Sequence, residues 1–153
     1  MLPDIENELN ECVLDHIAIA VSDLEKSVET YTALGLSFSS EREVVESQKV
    51  KTAFAPIDQN GHIELLCPTS ADSAIQKFMD KKGPGIHHIC FKVPDVAKKQ
   101  KELTDKGFSF IYPEPTEGAG NCLVNFIHPK STGGVLIEIS TSKNQSQKQM
   151  EHK

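Results

Sequence analysis

The sequence predicts an α+β fold in which duplicated βαβββ modules form a curled, eight-stranded mixed sheet. Two observations lead to this fold. Segments of the chain recur in the same order about 72 residues apart, and each copy has the pattern of a strand, a helix and three further strands. With 153 residues, the chain is long enough for one such domain around a hydrophobic core.

The repeat is weak in sequence but regular in spacing. Four pairs of segments match in order: 15–24 with 87–96, 35–38 with 107–110, Phe54 with Phe126, and 63–65 with 137–139. The first three pairs are 72 residues apart and the last pair is 74 apart, so two residues were added in one loop. Matches that keep their order with so little slippage indicate a duplicated unit.

Each copy predicts the same series of elements. In the first copy, alternating β-branched residues predict a strand over 15–21. Ser22, with Glu25 three residues later, predicts the start of a helix that Gly35 ends. The remaining predicted elements are strands near 36–44, 49–57, 62–67 and 86–93, a helix over 95–106, and strands over 108–112, 121–127 and 134–140.

These elements predict one domain between two short terminal segments. We expect the domain to cover 14–140, with modules over 14–68 and 86–140 and a linker helix over 72–83. An N-terminal extension over 1–13 precedes it, and a polar tail over 141–153 has the composition of a disordered segment.

The composition excludes several classes of protein. The chain is 38% hydrophobic, and no apolar run approaches the roughly 18–20 residues that span a membrane. A net charge of −6 without a basic cluster argues against nucleic acid as a partner. The acidic N-terminus does not resemble a secretory signal, and the four cysteines form no CxxC pair. We therefore expect a cytoplasmic protein with reduced thiols.

Strand alternation directs two histidines and two glutamates to one face of the predicted sheet. In the first strand Ile17 should pack under the helix, which leaves His16 on the opposite face. The same reasoning places His88, Glu64 and Glu138 on the face away from the helices. Two imidazoles and two carboxylates at repeat-equivalent positions suit a divalent metal ion such as Co²⁺, Zn²⁺, Ni²⁺ or Mn²⁺. A glutamate buried between apolar neighbours also needs a compensating cation.

The other histidines carry weaker indications of function. Alternation directs His87 to the helix side of its strand, where we expect a structural role. His62 and His128 lie near predicted turns, where histidines are usually solvated.

Several motifs resemble the vicinal oxygen chelate superfamily, which includes glyoxalase I, extradiol dioxygenases and methylmalonyl-CoA epimerases. The motifs are LDHIAIAV at 14–21, IELL at 63–66, GPGIHHI at 83–89 and FIHPKSTGGVLIEI at 126–139. The last two motifs are most similar to the epimerase branch, and the resemblance extends from about residue 14 to residue 140.

This resemblance implies an isomerase that interconverts the (R) and (S) forms of methylmalonyl-CoA by α-proton abstraction through a metal-stabilised enolate. It implies metal ligands at His16, Glu64, His88 and Glu138. Glu138 is the first candidate for the catalytic base, and Glu64 is the second. Lys130 is a candidate contact for the acyl-CoA substrate.

The second base and the function keep alternatives open. Some relatives carry a separate catalytic glutamate on the preceding strand, and alignment places Lys51 at that position here. A glyoxalase I-like lactoylglutathione lyase would use similar ligands and similar enolate chemistry. A non-catalytic small-molecule-binding protein of the same fold is a third candidate, although such proteins typically lack one or more of the four ligands. Exposed strand edges in such a sheet favour a homodimer.

Overall fold

The structure, a computed structural model, describes residues 12–143. Its strands are β1 (Val13–Ala20), β2 (Glu43–Val45), β3 (Val50–Pro56), β4 (His62–Pro68), β5 (Gly85–Lys92), β6 (Thr116–Gly118), β7 (Cys122–Ile127) and β8 (Ile137–Ser142). Its α-helices are α1 (Leu24–Ala33), α2 (Ala74–Lys82) and α3 (Val96–Asp105). Short 3₁₀ turns follow β2 at Glu46–Gln48 and β7 at Pro129–Ser131.

The eight strands form one mixed sheet with the order β2-β3-β4-β1-β5-β8-β7-β6. β1 pairs with β4 in parallel, whereas β3 pairs with both β2 and β4 in antiparallel orientation. β7 likewise pairs with β6 and β8 in antiparallel orientation. The order β2-β3-β4-β1 thus has a counterpart in β6-β7-β8-β5, which confirms the predicted α+β fold with duplicated modules.

The chain divides into two compact units. One is His16–Ile89, and the other contains residues 12–15 and 90–143. Within residues 12–143, no helix is long and apolar enough to cross a membrane.

The core of the unit His16–Ile89 lies between α1 and the sheet. Leu24 at the start of α1 packs with Val21, and with Ala53 of β3 and Leu65 of β4. All four residues are buried, and Leu65 and Ala53 are fully so. Burial of apolar side chains at about 25 cal/mol per Å² is the main force that fixes α1 on this face.

The core of the other unit is built in the same way. Val96 at the start of α3 packs with Val93, with Ile127 of β7 and with Ile139 of β8. Partly buried apolar side chains surround this cluster: Leu103, Phe108, Phe110 and Ile137. The helix therefore covers one face of the sheet, and the side chains that alternate with these strand residues lie on the opposite face.

The same backbone hydrogen bond occurs within each module, with the offset seen in the sequence. The Val21 amide donates to the Leu66 carbonyl at 2.8 Å, and the equivalent Val93 amide donates to the Ser140 carbonyl at 2.9 Å. Gly35 and Gly107 follow α1 and α3 with φ of 110° and 95°, which an L side chain rarely adopts. The two helices therefore end in the same way, as the repeat predicts.

The predicted start of the first helix is wrong by one residue. The N-cap of α1 is Asp23, whose side chain accepts a hydrogen bond from the Lys26 amide, and not Ser22. Asp95 caps α3 with the same bond to the Lys98 amide. Both aspartates have an extended backbone and a carboxylate that stabilises the free amides of the first turn. The repeat alignment pairs these two aspartates, and this pairing identifies the cap better than the capping-box pattern does.

The second strand of each module is also shorter and later than predicted. In place of a strand over 36–44 the structure has Glu43–Val45, and in place of 108–112 it has Thr116–Gly118. Phe110 forms only an isolated bridge to Ile127. β8 begins at Ile137 rather than 134 and continues to Ser142, so the polar tail starts later than residue 141. The rest of the predicted tail and residues 1–11 of the predicted extension lie outside the described residues.

Candidate metal centre

His16 and Glu64 meet on the face of the sheet that is opposite α1. In the parallel pair of β1 and β4, Ala18 lies opposite Glu64 and His16 lies opposite His62. The Nε2 atom of His16 is 2.9 Å from Oε2 of Glu64. Glu64 is only 4% exposed and His16 only 5%, so both polar groups are shielded from solvent.

His88 joins this pair from β5. Its Nε2 atom is 3.1 Å from Nε2 of His16, and the two rings meet edge to face with an interplanar angle of 72°. His88 is 4% exposed. Nε2 of His16 is therefore close to one carboxylate oxygen and to one further imidazole nitrogen, in a buried region of the unit His16–Ile89.

This donor set fits a divalent cation. Metal bonds of about 2.0–2.2 Å place two ligand atoms of one coordination sphere roughly 3 Å apart, close to the 2.9 and 3.1 Å found around Nε2 of His16. Imidazole nitrogen and carboxylate oxygen together suit Zn²⁺ and its first-row neighbours. At 3.1 Å the two Nε2 atoms are also within hydrogen-bonding distance of each other.

Glu138 occupies the equivalent position to Glu64 in the other unit. Glu138 lies opposite Phe126 in the β7–β8 pair, just as Glu64 lies opposite Phe54 in the β3–β4 pair. Ile139, its neighbour on β8, packs in the helix-side core, so Glu138 is on the opposite face. It is 7% exposed. The register therefore reproduces the predicted equivalence of the two glutamates.

The four cysteines are free thiols. Burial raises the pKa of Cys12, Cys67 and Cys122, and the negative charge of Asp15 adds to the rise at Cys122. Thiols with raised pKa values stay protonated at neutral pH and are poor nucleophiles. This chemistry agrees with the structural role expected for the cysteines.

Two imidazole rings outside the predicted ligand set lie against the candidate ligands. The ring of His62 lies 4.9 Å from that of His16, and Phe54 meets His62 edge to face at 5.0 Å. His87 approaches His88, with 2.8 Å between their Nδ1 atoms. The position of His62 two residues before Glu64 was the available indication, because alternate residues of a strand share a face.

The other two candidate residues, Lys51 and Lys130, are both exposed. Lys51 is exposed and lies opposite Cys67, on the helix side of β3, so it cannot act on the face that carries Glu64. The suggestion that Lys51 occupies a catalytic position is therefore wrong. Lys130 is exposed in the 3₁₀ turn after β7, where its backbone N–H donates to Nδ1 of His128 at 3.1 Å.

The fold and this face of the sheet define a class of protein. The Glyoxalase/Bleomycin resistance protein/Dioxygenase superfamily model matches residues 15–126, and the chain belongs to this superfamily. The resemblance inferred from the sequence motifs is thereby confirmed.

Within the superfamily the chain is similar to methylmalonyl-CoA epimerases. It is 40% identical over 129 residues to the mitochondrial methylmalonyl-CoA epimerase of Dictyostelium discoideum, covering 82% of this chain and 76% of the relative. It is 36% identical to the ethylmalonyl-CoA/methylmalonyl-CoA epimerase of Cereibacter sphaeroides, covering 82% of this chain and 95% of the relative. Among solved structures, a Streptomyces coelicolor methylmalonyl-CoA epimerase variant in complex with 2-nitronate-propionyl-CoA matches with a TM-score of 0.81 and 39% identity. That match covers 85% of this chain and 96% of the other.

Proposed function

We propose that this chain is a metal-dependent epimerase that interconverts the (R) and (S) forms of methylmalonyl-CoA. The observation that carries the proposal is the similarity to methylmalonyl-CoA epimerases over more than four fifths of the chain. The buried imidazoles and carboxylate in the unit His16–Ile89 support it, because this chemistry requires a charged group that stabilises an enolate.

In this proposal the divalent cation is held by His16, Glu64, His88 and Glu138. The distances from His16 to Glu64 and to His88 support the first three, and equivalence to Glu64 in the repeat supports Glu138. Co²⁺, Zn²⁺, Ni²⁺ and Mn²⁺ all suit two imidazoles and two carboxylates. When bound, such a cation supplies positive charge for the developing enolate oxygen.

Glu138 is the candidate for the first base. Its carboxylate would accept the proton from the α-carbon, and the C–H electron pair would move into the enolate of the thioester. Burial at 7% exposure keeps bulk water away from this carboxylate and favours proton transfer to and from the substrate carbon.

Inversion requires a proton on the opposite face of the planar enolate. Glu64, the repeat equivalent of Glu138, is the candidate that would supply this proton. A proton delivered to the second face restores the C–H bond with inverted configuration. Lys130 is the candidate contact for the acyl-CoA arm, since an exposed ammonium group attracts phosphate.

The free thiols and the edge strands support proposals about where the protein works and whether it forms a dimer. We propose a single domain over 14–140 that works in the cytoplasm with its four thiols reduced. β2 and β6 are the two end strands of the sheet order. From such exposed strand edges we infer that the protein forms a homodimer. A mass of twice 16.9 kDa in light scattering supports the dimer, and a mass of 16.9 kDa contradicts it.

The proposal is tested by following the α-proton of methylmalonyl-CoA in D₂O by NMR with Co²⁺-loaded protein. We expect rapid exchange with inversion in the wild type, and we expect inversion to be at least 100-fold slower in Glu138→Gln. Glu29→Gln, on the exposed side of α1, is the matched control and should exchange at the wild-type rate. Absence of exchange despite bound metal would exclude methylmalonyl-CoA as the substrate, and the glutathione hemithioacetal would then be assayed.

A further inference from the structure

His88 makes close approaches through both of its ring nitrogens. Its Nε2 atom lies 3.1 Å from Nε2 of His16, on the side of the candidate metal centre. Its Nδ1 atom lies 2.8 Å from Nδ1 of His87, which precedes it on β5. Both distances are within hydrogen-bonding range, so the two sides of the His88 ring are linked to different groups.

With a cation at Nε2, this arrangement sets which nitrogen of His88 carries the proton. A neutral imidazole has one N–H donor and one lone pair, and a metal ligand must present the lone pair. If Nε2 of His88 faces the cation, its proton is on Nδ1. Nδ1 of His88 then donates to Nδ1 of His87, which accepts the bond and carries its own proton on Nε2.

The ring of His87 is itself held in place by α2. Phe78 of α2 meets His87 edge to face, with ring centroids 4.9 Å apart and an interplanar angle of 88°. The ammonium group of Lys82 lies over the Phe78 ring, 5.8 Å from its centroid. α2 therefore fixes the ring that accepts the hydrogen bond from His88.

We propose that His87 is a positioning residue that holds His88 in the Nδ1–H tautomer and aims its Nε2 lone pair at the metal. The inference rests on the metal site of the proposed function. A histidine ligand usually donates its second N–H to an acceptor, and loss of that acceptor lowers metal affinity 10–100-fold. In the repeat alignment the residue before the other histidine ligand is Asp15, which is also a hydrogen-bond acceptor.

A pair of substitutions separates hydrogen bonding from packing. His87→Phe keeps an aromatic ring against Phe78 but removes the acceptor, and we expect its Co²⁺ affinity to fall about 10–100-fold. His87→Asn places an amide oxygen close to the position of Nδ1, and we expect an affinity within about threefold of wild type. Both affinities are measured by competition with a chelator, after thermal unfolding shows that each variant is folded. Equal affinities of His87→Phe and wild type, or equal losses in both variants, would overturn the proposal.

The tautomer can also be observed without any substitution. Long-range ¹H–¹⁵N correlation spectra of the metal-free wild-type protein should show His88 protonated at Nδ1 and His87 at Nε2. His88 protonated at Nε2 alone would refute the positioning role, even if a variant failed to fold. Because this measurement needs neither metal nor substrate, its result is independent of whether the chain is an epimerase.

Discussion

At the scale of single residues, Glu64 is the buried carboxylate whose charge the proposed cation would compensate. Its neighbours Ile63 and Leu65 belong to the helix-side core, while its own side chain is 4% exposed on the other face. A buried carboxylate is unfavourable by several kcal/mol unless charge or hydrogen bonds compensate it. His16 at 2.9 Å provides part of this compensation, and a shared cation would provide the rest.

The two-base proposal predicts that the glutamates act on different epimers. In Glu64→Gln the remaining base, Glu138, still reaches one face of the substrate. One epimer should therefore exchange its α-proton with solvent at least 10-fold faster than the other, without inversion. NMR of the separate (R) and (S) thioesters in D₂O, with bound metal verified, measures the ratio. In Glu138→Gln the preference between the epimers should be reversed.

The wild-type enzyme, which exchanges both epimers, is the reference for this ratio. If Glu64→Gln slows both epimers equally while the metal remains bound, Glu64 is only a ligand and a different group serves the second face.

Residue-level alternation was enough to select the four polar side chains from the sequence. His16 and Glu64 are on one face because Ile19 and Leu65 are needed in the core on the other. The contacts of His62 and His87 could not be predicted in this way, because they depend on ring orientations and, for His87, on the position of α2. The face on which Lys51 lies could not be predicted from the motif alignment, because a shift of one residue in a strand reverses the face.

At the scale of elements, the aspartate caps give a direct test of the repeat. Asp23→Ala and Asp95→Ala each remove a side chain that accepts a backbone N–H at 3.1 Å. Each should lower the free energy of unfolding by about 1 kcal/mol. Ser22→Ala is the control, because Ser22 matches the capping-box pattern but does not cap the helix. Chemical denaturation would contradict this account if Ser22→Ala were as destabilised as Asp23→Ala.

A second element, the turn between β2 and β3, is tied to the loop before α2 by charge. Lys49 pairs with Asp72, and the hydroxyl of Ser70 donates to the same carboxylate at 2.6 Å. The Lys49 ammonium, followed by the Ser70 hydroxyl, lowers the pKa of Asp72 from its ordinary value of 3.8 to about 2. Lys49 itself has a φ of 54°, so this turn has an uncommon backbone conformation at that residue.

The lowered pKa predicts the pH dependence of this tie. A carboxylate whose pKa is lower in the folded state stabilises the fold above its ordinary pKa, and this contribution is lost as the pH falls toward 2. Asp72→Asn should therefore have a lower denaturation midpoint than wild type at pH 7, with a small difference because the pair is exposed. The difference should shrink between pH 3.8 and pH 2, whereas a constant difference would contradict the tie. Asp105→Asn, at an exposed aspartate of α3, is the matched control.

The predicted position of the second strand in each module was wrong because core-packed segments and strands share the same periodicity of buried side chains. Phe38 and the equivalent Phe110 alternate with polar neighbours as strand residues do, and both pack against the helix-side core. The Ser39 amide bonds to the Phe54 carbonyl, and the Ile111 amide bonds to the Phe126 carbonyl. Periodicity reports which side chains are buried. It does not report whether the backbone continues into a hydrogen-bonded ladder, so core-packed segments resemble strands in the sequence.

In the second module, side-chain hydrogen bonds hold such a segment in place of a strand ladder. The fully buried Asn125 donates to Gln100 of α3 at 2.7 Å and to the Tyr112 carbonyl at 3.0 Å. The side chain of Gln100 also donates to the Pro113 carbonyl at 2.9 Å. These contacts depend on helix α3 and strand β7 together, so no local pattern in the sequence could predict them.

At the scale of the whole molecule, duplication places one histidine and one glutamate in each module. A bound cation that links groups from several strands should stabilise the folded chain, because the unfolded chain lacks the assembled site. At a metal concentration about 100 times the dissociation constant, the stabilisation is about 2.7 kcal/mol. For a domain of this size that corresponds to an increase in melting temperature of roughly 5–10 °C.

His16 is the position at which this whole-molecule prediction is tested, because its Nε2 atom is close to both Glu64 and His88. His16→Ala should lose most of the increase produced by Co²⁺ in a thermal unfolding scan, since it removes a central ligand. His128→Ala removes an exposed histidine instead, and it should keep the full increase. Equal increases in both variants would mean that Co²⁺ binds elsewhere on the chain. The buried pair of imidazoles would then be a hydrogen-bonded element of the sheet and not a metal centre.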